Sequence, residues 1–182
     1  MSVFLSEYRN PLHQPAGIFK KLMWYYVNLI FFKSGLFPIN ALKIFLLKLF
    51  GAKIGKHVII KPIVNIKYPW NLTLGNHIWI GEDVWIDNLV AVHIGNHVCI
   101  SQGALLISGN HDFNKRSFDL MALPILIDDG VWVCAKAIVH GGSHLCTNAV
   151  LLSGSSIKGV LEENSVNLGN PAIKIKERTF TD

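Results

Sequence analysis

The sequence predicts an all-β solenoid entered through a pair of helices, and three observations predict it. An aliphatic residue recurs at every sixth position from Ile54 onward, two apolar stretches precede that series, and a single fifteen-residue gap, Asp112 to Leu126, interrupts it. At 182 residues the chain is the size of one ordinary domain, and with 51% hydrophobic and 16% charged residues it can bury a core and an oligomer surface besides.

The N-terminal segment, residues 1–53, is expected to hold two helices, over residues 18–33 and 38–50, the second entered by Pro38, which suits a first helical turn. They would cap one end of the solenoid, where an open sheet edge invites aggregation. Met1 to Gly17 is polar and carries no secretory-signal pattern, so a cytoplasmic protein is expected. Leu22 to Phe32 is eleven residues without a charge, short of the ~20 needed to span a bilayer. The net charge of +5 is local: residues 1–60 hold eight Lys/Arg against one Glu, the remaining 122 hold nine against eleven acids. A basic, aromatic segment with Trp24, Tyr25 and Tyr26 suits peripheral contact with the inner face of a membrane through residues 18–50, or simple packing on the rest of the protein. Nucleic acid is not an expected partner, because no basic run exceeds Lys20-Lys21. The three cysteines, Cys99, Cys134 and Cys146, lie in aliphatic stretches without C-x-x-C spacing and read as reduced thiols.

The periodic series runs Ile54, Ile60, Ile66; Leu74, Ile80, Ile86; Ile94, Ile100, Leu106; Ile127, Val133, Val139; Leu145, Leu151, Ile157. All fifteen positions are Ile, Leu or Val, types that make up 57 of the 182 residues, so chance does not account for it. The fourth residue after each is mostly Val, Ile, Ala or Ser, and the residue directly after is often Gly or Asp. A period of six fits neither a 3.6-residue helix nor strict alternation; it fits a coil in which each side is one short strand and one turn. Two-residue insertions are read at Leu72-Thr73 and Val92-His93, and the fifteen-residue gap is long enough in a tight solenoid to signal function.

With these repeats, Tyr68-Pro-Trp70, Ile86-Asp-Asn88, Ile100-Ser-Gln-Gly-Ala104, Gly109-Asn-His-Asp112, Asp129-Gly-Val-Trp132 and Gly169-Asn-Pro-Ala172, the chain resembles the hexapeptide-repeat acetyltransferases, in the exopolysaccharide (colanic-acid-type) branch near the galactoside and maltose acetyltransferases. The resemblance implies a left-handed parallel β-helix of triangular eighteen-residue coils, capped by the N-terminal α-helices. Five coils are expected, at 54–71, 74–91, 94–111, 127–144 and 145–162, with loop 112–126 protruding and 163–182 as a C-terminal tail. It also implies a homotrimer that moves acetyl from acetyl-CoA to a hydroxyl of a free, nucleotide-linked or lipid-linked saccharide in exopolysaccharide biosynthesis. No metal is expected.

Such chemistry needs a base to take the alcohol proton, and histidine suits that task near neutral pH. Of eight histidines, His57, His77 and His97 lie twenty residues apart and would stack at one solvated corner. His111, where the long loop departs, matches the family's catalytic histidine. Asp112 would orient its imidazole, bind the acceptor or face solvent. Asp87 and Asn88 would hydrogen-bond the acceptor or close their own turn, and Trp79 and Trp85 would stack on a sugar ring or fill a trimer interface. On the donor side the resemblance implies that Trp132 and Ala135 border the pantetheine, a backbone N–H near Ala135 receives the oxyanion, Ser153, Gly154 and Lys158 line the channel, and Lys176 meets the nucleotide phosphates. Two readings compete: a γ-type carbonic anhydrase, kept open by His93/His97 and His140/His144 four residues apart, and a non-catalytic solenoid scaffold.

Overall fold

The computed structural model describes residues 2–12 and 16–181. From Lys53 the chain winds as a left-handed parallel β-helix with three faces. The first face stacks Lys53–Ile54, Leu72–Leu74, Val92–Ile94, Ile125–Ile127, His144–Leu145 and Val160–Leu161. The second stacks Ile59–Ile60, Trp79–Ile80, Cys99–Ile100, Trp132–Val133, Val150–Leu151 and Ser165–Gly169, and the third Asn65–Ile66, Trp85–Asp87, Leu105–Ile107, Ile138–His140 and Ser156–Ile157.

The six-residue series lies inside. Ile60, Ile80, Ile100, Val133 and Leu151 form one buried ladder, and Ile66, Ile86, Leu106, Val139 and Ile157 another. Each fully buried aliphatic side chain contributes about 1.5–3 kcal/mol of transfer free energy, which offsets the backbone entropy of ordering many short strands. The repeat also runs two sides further than the series shows, because in the sixth coil the second-face ladder position is Asn167, whose amide donates to the Val150 carbonyl (3.2 Å) and Ser165 Oγ (2.8 Å). Ala172–Glu177 then folds back antiparallel on Ser165–Gly169.

The insertions expected at Leu72-Thr73 and Val92-His93 are absorbed elsewhere. Leu72 and Val92 are buried in first-face strands, so the extra length sits in the preceding corners, one of them containing the 3₁₀ turn Pro69–Asn71. Successive coils approach too closely at another corner for any side chain: a Cβ on Gly55 would lie 2.5 Å from the Gly75 carbonyl oxygen, and one on Gly75 2.6 Å from that of Gly95. Gly75→Ala is expected to cost about 1–3 kcal/mol by forcing these backbones apart, read as a lower Tm in thermal unfolding.

Two α-helices cover the open edge of the first coil, α1 (Ile18–Val27, continued by a π-helical turn over Asn28–Lys33) and α2 (Asn40–Leu49). Pro38 lies just ahead of α2, which begins at Asn40. On a 3.6-residue helix, positions four apart drift by about 40° per step; the wider i→i+5 turn lets Trp24, Asn28 and Phe32 all face the solenoid. Their polar atoms satisfy the edge strands. Trp24 Nε1 donates to the Ile66 carbonyl (2.8 Å), Asn40 bridges Val58 O and Ile60 N (2.8 Å each), and Lys43 Nζ donates to Lys61 O (2.9 Å). Lys43 is buried, and burial lowers its pKa from the ordinary lysine value. The opposite side of α1 leaves Ile18, Phe19, Leu22 and Tyr26 exposed.

Candidate active site

At Ser108 the chain leaves the third face, three residues before the expected end of the coil. Ser108 is buried, and both its N–H (3.1 Å) and its hydroxyl (2.8 Å) donate to the Asp87 carbonyl. Gly109–His111 then pairs antiparallel with Leu120–Ala122, so the long excursion is a hairpin arm that lifts His111 off the solenoid.

Half-buried His111 is held on three sides. Its Nδ1 lies 3.0 Å from the Phe118 carbonyl oxygen, the Phe118 ring stacks on the imidazole at 4.4 Å and 5°, and the Tyr8 ring tilts against it at 5.9 Å. A carbonyl can only accept, so Nδ1 carries the proton of the neutral ring and the basic lone pair sits on Nε2. Tyr8 arrives because the N-terminal segment lies along the hairpin, with Phe4 N–H donating to Arg116 O (2.8 Å) and Leu120 N–H to Arg9 O (3.1 Å). The Asp112 carboxylate takes no part: Oδ1 accepts the Asn114 N–H (3.1 Å), and Oδ2 lies 3.9 Å from Lys115. The orienting role expected of Asp112 falls to the Phe118 backbone. Phe118 reaches that position with φ of 50°, a conformation few non-glycine residues adopt.

Asp87 and Asn88, adjacent in sequence, face different tasks. Asn88 is fully buried, its Oδ1 accepting the Tyr68 N–H (2.9 Å) and its Nδ2 donating to the Tyr68 carbonyl (2.6 Å). Its amide therefore shapes the corner, with both polar atoms engaged there and the side chain closed off from solvent. Asp87 is buried too, but its carboxylate lies beside the arm: a Cβ on Gly109 would lie 3.6 Å from Asp87 Oδ2 and 2.6 Å from Leu89 Cδ1. Asp87 Oδ1 lies 2.7 Å from Lys67 Nζ, but outside hydrogen-bond geometry, so it has a charge partner and no directed bond.

The donor-side residues lie mostly elsewhere on the chain. Exposed Trp132 stands on the second face, its indole N–H donating to Ser101 Oγ (2.9 Å). Ala135, Ser153 and Gly154 occupy the corner between second and third faces, where the Ala135 N–H has no backbone partner among the described residues. Lys158 alone lines the small cavity beside the His111 arm, with Gly109, Asn110 and His140. Burial, then Lys158, lowers the pKa of His140, whose Nε2 contacts Ser156 Oγ (2.9 Å). Lys176 is exposed on the returning strand.

The other histidines disperse. His57, His77 and His97 stack at 4.6 and 4.8 Å along one corner, all with positive φ; burial, then the two neighbouring rings, lowers the pKa of His77. His93 sits outward on the first face, and His144 Nε2 bonds Asp128 Oδ2 (2.8 Å). Among the described residues, one group brings three metal-ligand types within 4.8 Å, Asp128, His144 and Cys146, with a single histidine. All three thiols are free. Burial pushes Cys134 up to about 11, and burial with the Asp128 and Glu163 charges raises Cys146, so neither is an activated nucleophile.

Sequence reasoning missed Phe118, Tyr8, Ser108 and Lys67. Phe118 and Tyr8 act through a backbone carbonyl and ring packing, and Ser108 through its N–H and a hydroxyl bound to a backbone carbonyl, which no residue pattern marks; Lys67 carried a signal, as a cation in the turn one coil below Asp87.

No family model matches the chain. It is 39% identical over 163 residues to the protein named colanic acid biosynthesis acetyltransferase WcaF of Escherichia coli K12, covering 90% of each chain. It is 24% identical over 135 residues to galactoside O-acetyltransferase of the same organism, covering 72% of this chain and 66% of the relative. Among solved structures, a hexapeptide-repeat-containing acetyltransferase from Vibrio cholerae complexed with acetyl coenzyme A superposes with a TM-score of 0.82 at 18% identity, covering 93% of this chain and 94% of the other. A six-residue repeat wound into a three-faced β-helix, a histidine-bearing arm and 39% identity along nearly the whole length place the chain in the family of hexapeptide-repeat acetyltransferases, in its colanic-acid-type branch.

Proposed function

We propose that this chain moves an acetyl group from acetyl-CoA to a hydroxyl of a saccharide in the building of an exopolysaccharide or other cell-surface glycan, with His111 as the general base. One observation carries the reading: the Phe118 carbonyl fixes the His111 tautomer and leaves Nε2 as the free lone pair, on an arm that lifts it clear of the solenoid. In the reaction Nε2 takes the proton of the acceptor hydroxyl as its oxygen attacks the thioester carbonyl carbon. The Ala135 N–H steadies the tetrahedral oxyanion; the C–S bond then breaks, and the imidazolium returns its proton to the departing thiolate. No Ser or Cys nucleophile enters. Asp87 accepts hydrogen bonds from the acceptor's neighbouring hydroxyls, which must be paired when buried.

Trp132 stands on the second face and Ala135, Ser153 and Gly154 at its corner with the third, whereas the His111 arm leaves from the other end of the third face, so a complete site takes the base, with Lys158 beside its arm, from one subunit and the donor groove of Trp132, Ala135, Ser153 and Gly154 from its neighbour, with Lys176 at the nucleotide phosphates. The assembly is a homotrimer, which also covers the exposed Trp79 and Trp132 of the second face. Acetyl-CoA use is supported by the family and by the donor bound to the similar Vibrio cholerae enzyme; the glycan role is supported by the name of the 39% identical relative. The test is free-thiol release from acetyl-CoA across a panel of saccharides: acceptor-dependent release supports the reading, and failure to bind acetyl-CoA at all contradicts it.

The basic α1 with its exposed aromatic side also supports peripheral contact with an anionic membrane surface. No helix among the described residues is long and apolar enough to cross a membrane. Co-flotation with phosphatidylglycerol-containing vesicles is expected, weakened several-fold by Phe19→Ser with Tyr26→Ser; recovery entirely away from the vesicles would contradict it.

A further inference from the structure

Between α1 and the third face lies a cavity of about 340 Å³, walled by Lys21, Lys33 and Lys67 and by the rings of Tyr25, Tyr68 and Trp85. Its polar character is one-sided. Lys67 is paired with Asp87, but among the described residues no carboxylate lies within ion-pair distance of Lys21 or Lys33, and no Asp or Glu occurs between residues 18 and 49. The cavity therefore carries two uncompensated charges beside a third that is shared.

The position of that third lysine gives the cavity a direction. Lys67 lines the cavity and touches Asp87, and Asp87 in turn faces the Gly109 end of the arm that carries His111. A ligand whose reacting hydroxyl lies at His111 would run past Asp87 and end among the lysines. The rings suit the faces of a sugar, and ammonium groups without acidic partners suit a multiply charged anion. Three lysines exceed what a single carboxylate needs.

We propose that this cavity binds the diphosphate of a diphosphate-linked saccharide acceptor, so that the enzyme acts on an activated or carrier-borne sugar rather than on a free one. The inference rests on the acetyl-transfer reading above and names its substrate class. The diphosphate takes no part in bond making; it anchors one end of the acceptor while the hydroxyl at the other end meets Nε2. Two sources share this chemistry, a nucleoside diphosphate and a polyprenyl diphosphate. The preceding step is then a reaction that loads the saccharide onto diphosphate, and the following one a transferase or polymerase that consumes the acetylated form.

The probes are inorganic diphosphate, uridine diphosphate and geranyl diphosphate, titrated calorimetrically into wild type and the Lys21→Gln/Lys33→Gln double variant, each with and without saturating CoA. Glucuronate serves as the singly charged control. At least one diphosphate probe should bind wild type with CoA present, bind the variant at least about tenfold more weakly, and lose affinity with rising salt. Preference for uridine or geranyl diphosphate identifies the carrier. Equal binding by the variant, displacement of every probe by CoA, or tighter binding of glucuronate would overturn the proposal. Acetyl-CoA affinity, measured on the same two proteins, separates the two levels: lost in wild type, it removes the transferase reading; lost in the variant alone, it assigns the lysines to the donor.

Discussion

His111→Ala should lower acceptor-dependent acetyl transfer by about 10²–10⁴-fold, the span attributable to a general base, and should leave acetyl-CoA affinity and the far-ultraviolet spectrum unchanged. The expectation follows from the arm. His111 pairs with Leu120 at the outer end of the hairpin's paired strands, outside the aliphatic ladders, so removing its ring takes nothing from the core. His111→Asn gives the sharper control, since its amide nitrogen stands where Nδ1 does and can still donate to the Phe118 carbonyl but supplies no base. Asp112→Asn should fall well short of either loss, because the Asp112 carboxylate is engaged with the Asn114 N–H and Lys115 rather than with the imidazole. Activity is read as kcat for thiol release at saturating donor; a near-normal kcat in His111→Ala would remove the base assignment.

The second large effect is structural. Trp24→Ala should destabilise the protein by about 3–5 kcal/mol, because the indole packs against Phe32 and Phe50 at 5.3 and 5.2 Å and supplies the hydrogen bond to the Ile66 carbonyl. Loss of the cap frees the edge of the first coil, an unpaired strand row that templates association. The variant is therefore expected to combine a lowered Tm with concentration-dependent aggregation, while an interior Ile80→Val should cost only about 0.5–1.5 kcal/mol without aggregating. A Trp24→Ala protein as stable and as soluble as wild type would show that the helices do not protect that edge.

The solenoid was legible because its physics is periodic: one aliphatic residue per side turns inward, and a turn position with positive φ or no side chain follows. The repeat faded where polar residues took over the interior, as at Asn167, whose amide finds partners within the core and so breaks the aliphatic pattern without breaking the coil. His111 was visible from its place at the edge of the long gap. Its surroundings were not, since a backbone carbonyl at Phe118 can be offered by any residue type and Tyr8 lies 103 positions away in the chain. Asp87 and Asn88 show the same limit from the other side. As neighbours they read alike and both are buried, but the pleat sets the Asp87 carboxylate beside the arm and turns the Asn88 amide into its corner.

The most direct test of the central claim is to identify the bond made. After incubation with acetyl-CoA and saccharides, including diphosphate-linked ones, the acceptor is recovered and analysed by mass spectrometry before and after mild alkali. A hydroxyl acetylated with His111 as base predicts a single added acetyl group that alkali removes, formed by wild type and absent with His111→Ala. An alkali-stable amide, or acetyl-CoA consumed with no acetyl on any saccharide, would contradict it.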